Sequence, residues 1–274
     1  MVDKTRSEYD QGFLEGKSCQ SFVRAWLEAV TCHAFLWKHG VEHGDPSLYN
    51  IMYDPQTHHG VMTDFDLAII QFLPRIPGTD RTGTVPFMAT DLLSEEYWFG
   101  LKIRYYHHEL EAFIWVLPFI FLLYEGGIRG SHKLVDPWIT SDYKTCAERK
   151  VFFLMLLDKL GCDVKPEFKA FWELAWSLCV LLLDAVHETA RNSFRDRNKV
   201  PVPEDFLKKS RNMWTSFIDT LREWLLPSAT FEPLIKRLKD QMPNFERTQL
   251  AEEDIEHLLE VYRKVTSSLT SQNE

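Results

Sequence analysis

The chain has no paired cysteine motif, no excess of positive charge and no apolar run long enough to cross a membrane. Five cysteines, Cys19, Cys32, Cys146, Cys162 and Cys179, are odd in number and widely spaced, which fits buried free thiols in a reducing compartment rather than a disulfide framework. The expected location is therefore cytoplasmic or nuclear. Thirty-one Lys and Arg against 40 Asp and Glu leave a formal charge of −9. That balance argues against nucleic acid or anionic membrane as main partners, since both attract basic surfaces. The opening MVDKTRSEYD is charged and polar, with neither a signal peptide nor an amino-terminal anchor in view. Two apolar runs, 112–124 and 174–183, fall short of the ~20 residues a membrane span needs and read as buried helices. No internal repeat, low-complexity tract or interdomain linker is visible.

What the chain does have is apolar and aromatic mass. With 45% hydrophobic and 14% aromatic residues over 274 positions, it can bury one substantial core or two unequal ones. Residues 1–17 are polar and glycine-containing, a flexible lead-in to one unit spanning 18–274. From Ser21 to Trp37, Phe22, Trp26 and Val30 recur at four-residue spacing, which predicts an amphipathic helix ended by Gly40. Short strands are predicted at 51–53 and 60–63 around the turn 54–59, a hairpin. Between 67 and 87, Pro74, Pro77, Gly78, Gly83 and Pro86 are too many breakers for a regular element and predict a long loop. Beyond His107 the pattern is helical at 109–124, 147–160, 166–187, 204–226 and 249–265.

Chemistry concentrates in two short segments. "HGDPSLYN", 43–50, sets Asp45 and Asn50 five positions apart behind a helix end, and Asp64 opens "DFD" after the predicted hairpin. Phosphoryl transfer from a nucleotide uses such a set: one carboxylate orients the attacking hydroxyl, while an amide oxygen and a second carboxylate hold Mg²⁺ on the phosphates. Taken singly, each of these residues is better read as an ordinary turn or strand-end side chain. Other near-motifs carry less. Gly12, Gly16, Lys17 and Ser18 imitate a phosphate-binding loop one residue short, and Gly40 separates His39 from His43 as a metal pair. His58 and His59 are expected to be solvated in a turn, and His107 and His108 to cap or pack.

Four segments in order, HGDPSLYNIMYD (43–54), TDFDLA (63–68), RTGTVPFMATDLL (81–93) and YYHHELEAFIWVL (105–117), resemble the protein kinase superfamily, and within it most closely the fungal-type protein kinases. The resemblance covers 18–125 well. It implies a mainly α fold, a kinase-like carboxy-terminal lobe with a short β-hairpin, and ATP with Mg²⁺ as cofactors. By position, Asp45 corresponds to the catalytic base, Asn50 and Asp64 to the metal ligands. Thr84 corresponds to the threonine that meets the base at the end of the activation loop. Glu109 stands where the family has an aspartate accepting backbone N–H groups of the catalytic loop.

The departures are specific. Gly44 replaces the arginine of H-R-D, so a phosphorylated activation loop would lack its customary guanidinium partner. Ser47 replaces a phosphate-contacting lysine, and Asp66 the glycine of D-F-G. No G-x-G-x-x-G loop or V-A-I-K lysine precedes His43, and a five-stranded amino-terminal lobe needs roughly fifty residues. The reading is therefore a carboxy-terminal lobe with the amino-terminal lobe absent. Two functions follow from it. One is ATP-dependent transfer to protein serine or threonine, impaired in this chain; the other is a non-catalytic pseudokinase module or decayed fragment that binds a partner protein. A small-molecule phosphotransferase is a third reading, against which Thr84 in GT-x-P argues.

Overall fold

The computed structural model describes residues 18–54, 56–70, 83–99, 102–195 and 203–243. The lead-in at 1–17, the centre of the breaker-rich loop and the helical pattern at 249–265 lie outside these residues.

The first helix, α1, spans Cys19–Lys38. Ser18, the last residue of the near-miss phosphate motif, is its N-cap and accepts the Ser21 N–H at 3.2 Å. Phe22, Trp26, Val30 and Trp37 line the buried face, and Gly40 turns the chain out with φ +78°. That face meets α3, Tyr106–Leu123, whose residues are all buried. A helix enclosed on every side has no polar face to alternate with, which explains the uninterrupted run AFIWVLPFIFLL. Trp26 fastens the pair by donating its indole N–H to the Phe113 carbonyl at 2.9 Å.

A one-turn helix, α2 (Glu95–Trp98), precedes α3. Behind α3 come α4 (Tyr143–Leu154), α5 (Trp172–Arg195), α6 (Pro203–Leu225) and α7 (Glu232–Asp240). Helices α5 and α6 pack on α3 and on each other, and α7 closes against α1 and α6. The sequence reading ran the fourth helix to residue 160, but α4 stops at Leu154 and a 3-10 turn covers Leu157–Lys159. It also missed α7, whose nine residues are too few for a clear period. Against the expectation from the apolar run at 174–183 alone, Pro166–Arg191, which includes the 3-10 turn before α5, is long and apolar enough to cross a membrane by length and composition. Its apolar side, Leu174, Ala175, Leu178, Cys179 and Leu182, is buried in the core.

The strands of the described residues form three two-stranded antiparallel pairs. β2 (Ile51–Asp54) and β3 (His59–Met62) make the predicted hairpin, with Ile51 opposite Met62 and Asp54 opposite His59. α1 lies so close on β3 that a Cβ at Gly60 would stand 2.2 Å from the Ala25 carbonyl oxygen. Glu28 of α1 grips the same strand, accepting the Gly60 N–H at 2.6 Å and bonding His59 Nδ1 at 2.9 Å. β1 (Val41–Glu42) pairs with β4 (Ile69–Ile70), fastening both ends of the segment that holds the chemistry. β5 (Tyr124–Glu125) and β6 (Ile128–Arg129) form a small turn after α3. All five cysteines are free, but Cys32 and Cys162 are exposed, so the expectation of uniformly buried thiols fails for those two.

Candidate functional site

The loop after β1 is shaped by Gly44. Its φ is +87°, and a Cβ there would meet the Leu67 carbonyl oxygen at 2.7 Å, so the arginine of H-R-D does not fit this turn. His43, fully buried, ties the loop to the hairpin. Its Nε2 bonds the Thr63 carbonyl at 3.0 Å and its Nδ1 accepts the Asp45 N–H at 3.3 Å. Burial lowers its pKa, with the charge of Glu109 opposing in part, so a neutral imidazole with the proton on Nε2 satisfies both bonds. The Phe65 ring lies on it at 4.7 Å, centre to centre.

Asp45 is the focus. Its Oδ1 accepts the Thr84 N–H at 2.7 Å, and its Oδ2 accepts the Thr84 hydroxyl at 2.8 Å. Asn50 donates from Nδ2 to the Asp45 carbonyl at 2.8 Å and to Oδ2 at 3.3 Å. The folded chain thus brings Asp45, Asn50 and Thr84 into direct contact across 39 positions of sequence. Asp64 enters through the backbone. Thr63 N–H donates to the Asn50 carbonyl at 3.0 Å, which sets Asp64 one residue past the paired strand ends. Asp64 is exposed and has φ +62°, an uncommon conformation for a non-glycine residue and one found at functional turns.

Because Asn50 turns its amide nitrogen to Asp45, its Oδ1 is left as an acceptor. It and the exposed Asp64 carboxylate are hard oxygen donors, and by donor chemistry such oxygens suit Mg²⁺.

Beneath the loop, Glu109 is buried at 1% exposure. Its Oε1 accepts the Gly44 N–H at 3.0 Å and Arg104 Nη1 at 2.9 Å, and its Oε2 bonds His33 Nε2 at 2.5 Å. Burial alone would disfavour its charge, but the bond to His33 and the charges of His33 and Arg104 outweigh that and hold the carboxyl well below the usual range. Arg104 also bonds the Gly44 carbonyl and, at 2.8 Å, the Tyr97 hydroxyl. A guanidinium does therefore reach this loop, from a residue 60 positions away. Sequence reasoning placed Glu109 but missed Arg104 and His33. For His33 the available signal was its place on the apolar face of α1; for Arg104 there was none.

The stretch after Thr84 is held similarly. Glu111 Oε1 accepts the Thr90 N–H at 2.8 Å, the Thr90 hydroxyl at 2.9 Å and the Trp115 indole at 3.0 Å. Beside Asp45 and Thr84 opens a cavity of about 570 Å³, bordered by Leu67, Gly83, Val85, Pro86 and Ile139.

An acid and an amide in one loop, a second acid after a hairpin and a threonine returned onto the first acid are the arrangement this segment presents. Residues 7–121 match the family model described as fungal protein kinase, and that stretch is fungal-protein-kinase-like. The match starts within the stretch read as a lead-in. Neither the curated proteins nor the solved structures yielded a match.

Proposed function

We propose that the chain carries the catalytic loop of an ATP- and Mg²⁺-dependent kinase acting on serine or threonine hydroxyls of protein, and that these 274 residues by themselves transfer phosphate weakly. The observation that carries this reading is the Asp45 carboxylate, held between Asn50 and Thr84 at the mouth of an open groove.

Asp45 is suited to the base role because its Oδ2 already accepts one hydroxyl, that of Thr84, at 2.8 Å. An acceptor hydroxyl reaching the same oxygen is oriented, and its proton drawn off, as it attacks. Asn50 and the backbone amide of Thr84 keep the carboxylate from rotating away, a positioning effect worth large factors in rate. Asn50 Oδ1 and Asp64 would hold Mg²⁺, which would supply charge neutralisation on the phosphates. Val85, Pro86 and Ile139 give the groove an apolar wall for residues flanking the acceptor, which favours a polypeptide over a small hydrophilic substrate. Met52 and Val61, opposite each other on the hairpin, are 41% and 42% exposed and offer an apolar floor beside Asn50 for a flat base.

The second reading, a non-catalytic module, is favoured by one feature: no glycine-rich loop or phosphate-gripping lysine occurs in residues 1–42. Positioning and charge stabilisation both fall without them, and each ~1.4 kcal/mol lost is tenfold in rate. The test is radiolabelled phosphate transfer by the purified chain with Asp45→Asn beside it. Weak transfer abolished by Asp45→Asn supports the proposal, and robust transfer abolished by it refutes the impairment. Equal counts in both proteins favour the non-catalytic module.

A further inference from the structure

At the start of α3, Asp91, His107 and His108 each present a ligand atom, and these atoms lie within 4.8 Å of one another. Asp91 belongs to the 3-10 turn Thr90–Leu92, and the histidines to the first turn of α3. From the geometry we infer that these three residues form a site for one divalent transition-metal ion of the zinc class, independent of phosphoryl transfer.

Two observations carry the inference. The first is the donor set. Two imidazoles and a carboxylate make a three-ligand zinc site with a fourth position for water. Tetrahedral bonds of about 2.0–2.2 Å place ligand atoms roughly 3.3–3.6 Å apart, and His108 Nε2 to Asp91 Oδ2, at 3.8 Å, is a few tenths of an ångström wider. Asp91 is one-third exposed, so its side chain can rotate to close the wider separations.

The second is that His107 Nε2 and His108 Nε2 are both buried without a hydrogen-bond partner, in side chains only 1% and 2% exposed. Buried polar atoms are nearly always satisfied, so such atoms call for a ligand. His107 is already oriented for one. Its Nδ1 bonds the Ser210 hydroxyl of α6 at 2.8 Å, an outer partner of the kind that fixes a metal-bound ring and its tautomer. His108 is set differently, because its Nδ1 accepts the Tyr105 N–H at 3.0 Å. Binding at its Nε2 moves the ring proton from Nε2 to Nδ1, and that bond from Tyr105 is given up.

Cations already crowd Asp91. Lys209 Nζ sits on its Oδ2 at 3.1 Å, and Lys102 Nζ bonds its backbone carbonyl at 2.8 Å. Lys209 is about one-quarter exposed and can swing into solvent when a divalent ion takes the carboxylate. The ion would then tie the end of the catalytic segment to α3, with α6 held on through Ser210.

The test is titration of the chelator-stripped full chain with Zn²⁺ by calorimetry and with Co²⁺ by visible absorption. The result expected is one ion per chain with Co²⁺ bands of a nitrogen and oxygen ligand set. Asp91→Asn and His107→Gln each weaken binding at least about tenfold, and Ser210→Ala weakens it by a factor in the lower part of the 10–100-fold range of outer partners. Lys209→Ala tightens binding, because a competing cation is removed, an effect that a purely structural cluster would not give. His58→Ala with His59→Ala leaves it unchanged. Absence of saturable binding, a thiolate charge-transfer band from Cys32 or Cys162, or affinities unmoved by Asp91→Asn and Lys209→Ala would overturn the site. Should His107→Gln fail to fold, Asp91→Asn and Lys209→Ala decide, since both side chains reach solvent.

Discussion

Lys150 shows how single residues hold the segment that follows Thr84 in place. Its side chain is fully buried, with the ammonium on the Met88 carbonyl at 2.6 Å and 4.8 Å above the Trp115 ring. It fastens the PFMA stretch from the α4 side while Glu111 holds Thr90 from α3. Burial lowers the Lys150 pKa to about 8, with the charges of Cys146 and Glu111 opposing. The unfolded chain keeps this proton up to the ordinary value of 10.5, so between pH 8 and 10.5 it binds more protons than the folded one. Stability from this group therefore rises with pH across that window, by an amount on the order of 3 kcal/mol. Buried cysteines and Tyr106 act in the opposite sense, which makes the comparison with Lys150→Met the informative one. In urea unfolding at both ends of the window, the stability of the wild type relative to Lys150→Met should increase at the higher pH.

At the scale of elements, the site depends on how closely α1 sits on the hairpin. Four features combine there: Gly60 without a side chain, the two bonds from Glu28, the His43 link to Thr63, and the Asn50 to Thr63 backbone bond. In Gly60→Ala the new methyl would stand 2.6 Å from the Ala25 Cα as well as 2.2 Å from its carbonyl oxygen. Both are backbone atoms of a helix locked to α3, so neither yields without moving an element. The substitution should cost about 3 kcal/mol, the upper end of overpacking penalties. It should also loosen the Asn50 and Asp64 ends of the strands. Thermal unfolding measures the first effect, and amide exchange at Thr63 reads the second.

For the molecule as a whole, the described residues expose large apolar side chains at several places, the hairpin region among them. Phe65 is 40% exposed, and Met52, Val61 and Phe35 stand out on the hairpin and α1. Phe65 packs tilted on His43 yet keeps much of its surface in solvent. Exposed apolar clusters of this kind promote association. Phe65→Ser should lower self-association of the chain, read by size-exclusion chromatography with light scattering. Its melting temperature should shift little, because little buried area is lost. Unchanged association in this variant would show that the surface is already covered.

Local rules made several features legible before any fold was known. The period of Phe22, Trp26 and Val30 announced α1, the unbroken apolar run announced α3, and the turn chemistry of 54–59 announced the hairpin. Asp45, Asn50 and Asp64 could be singled out because kinase-type motifs are contiguous, and each residue sits at a fixed offset in its own segment. What the sequence left open were relations between distant segments. Nothing local ties Arg104 to Gly44, His33 to Glu109, Lys150 to Met88, or Asp91 to His107, and the meeting of Thr84 with Asp45 was legible only through the family resemblance. The helix of nine residues, α7, was likewise invisible, because its apolar stripe acquires meaning only against α1 and α6. Sequence alone determined which residues could do chemistry and which segments would be regular, since propensity and periodicity act within a few turns of chain. Only the tertiary structure decided which of those residues meet, because burying α3 on all sides drives far-apart polar groups together and leaves them to satisfy one another.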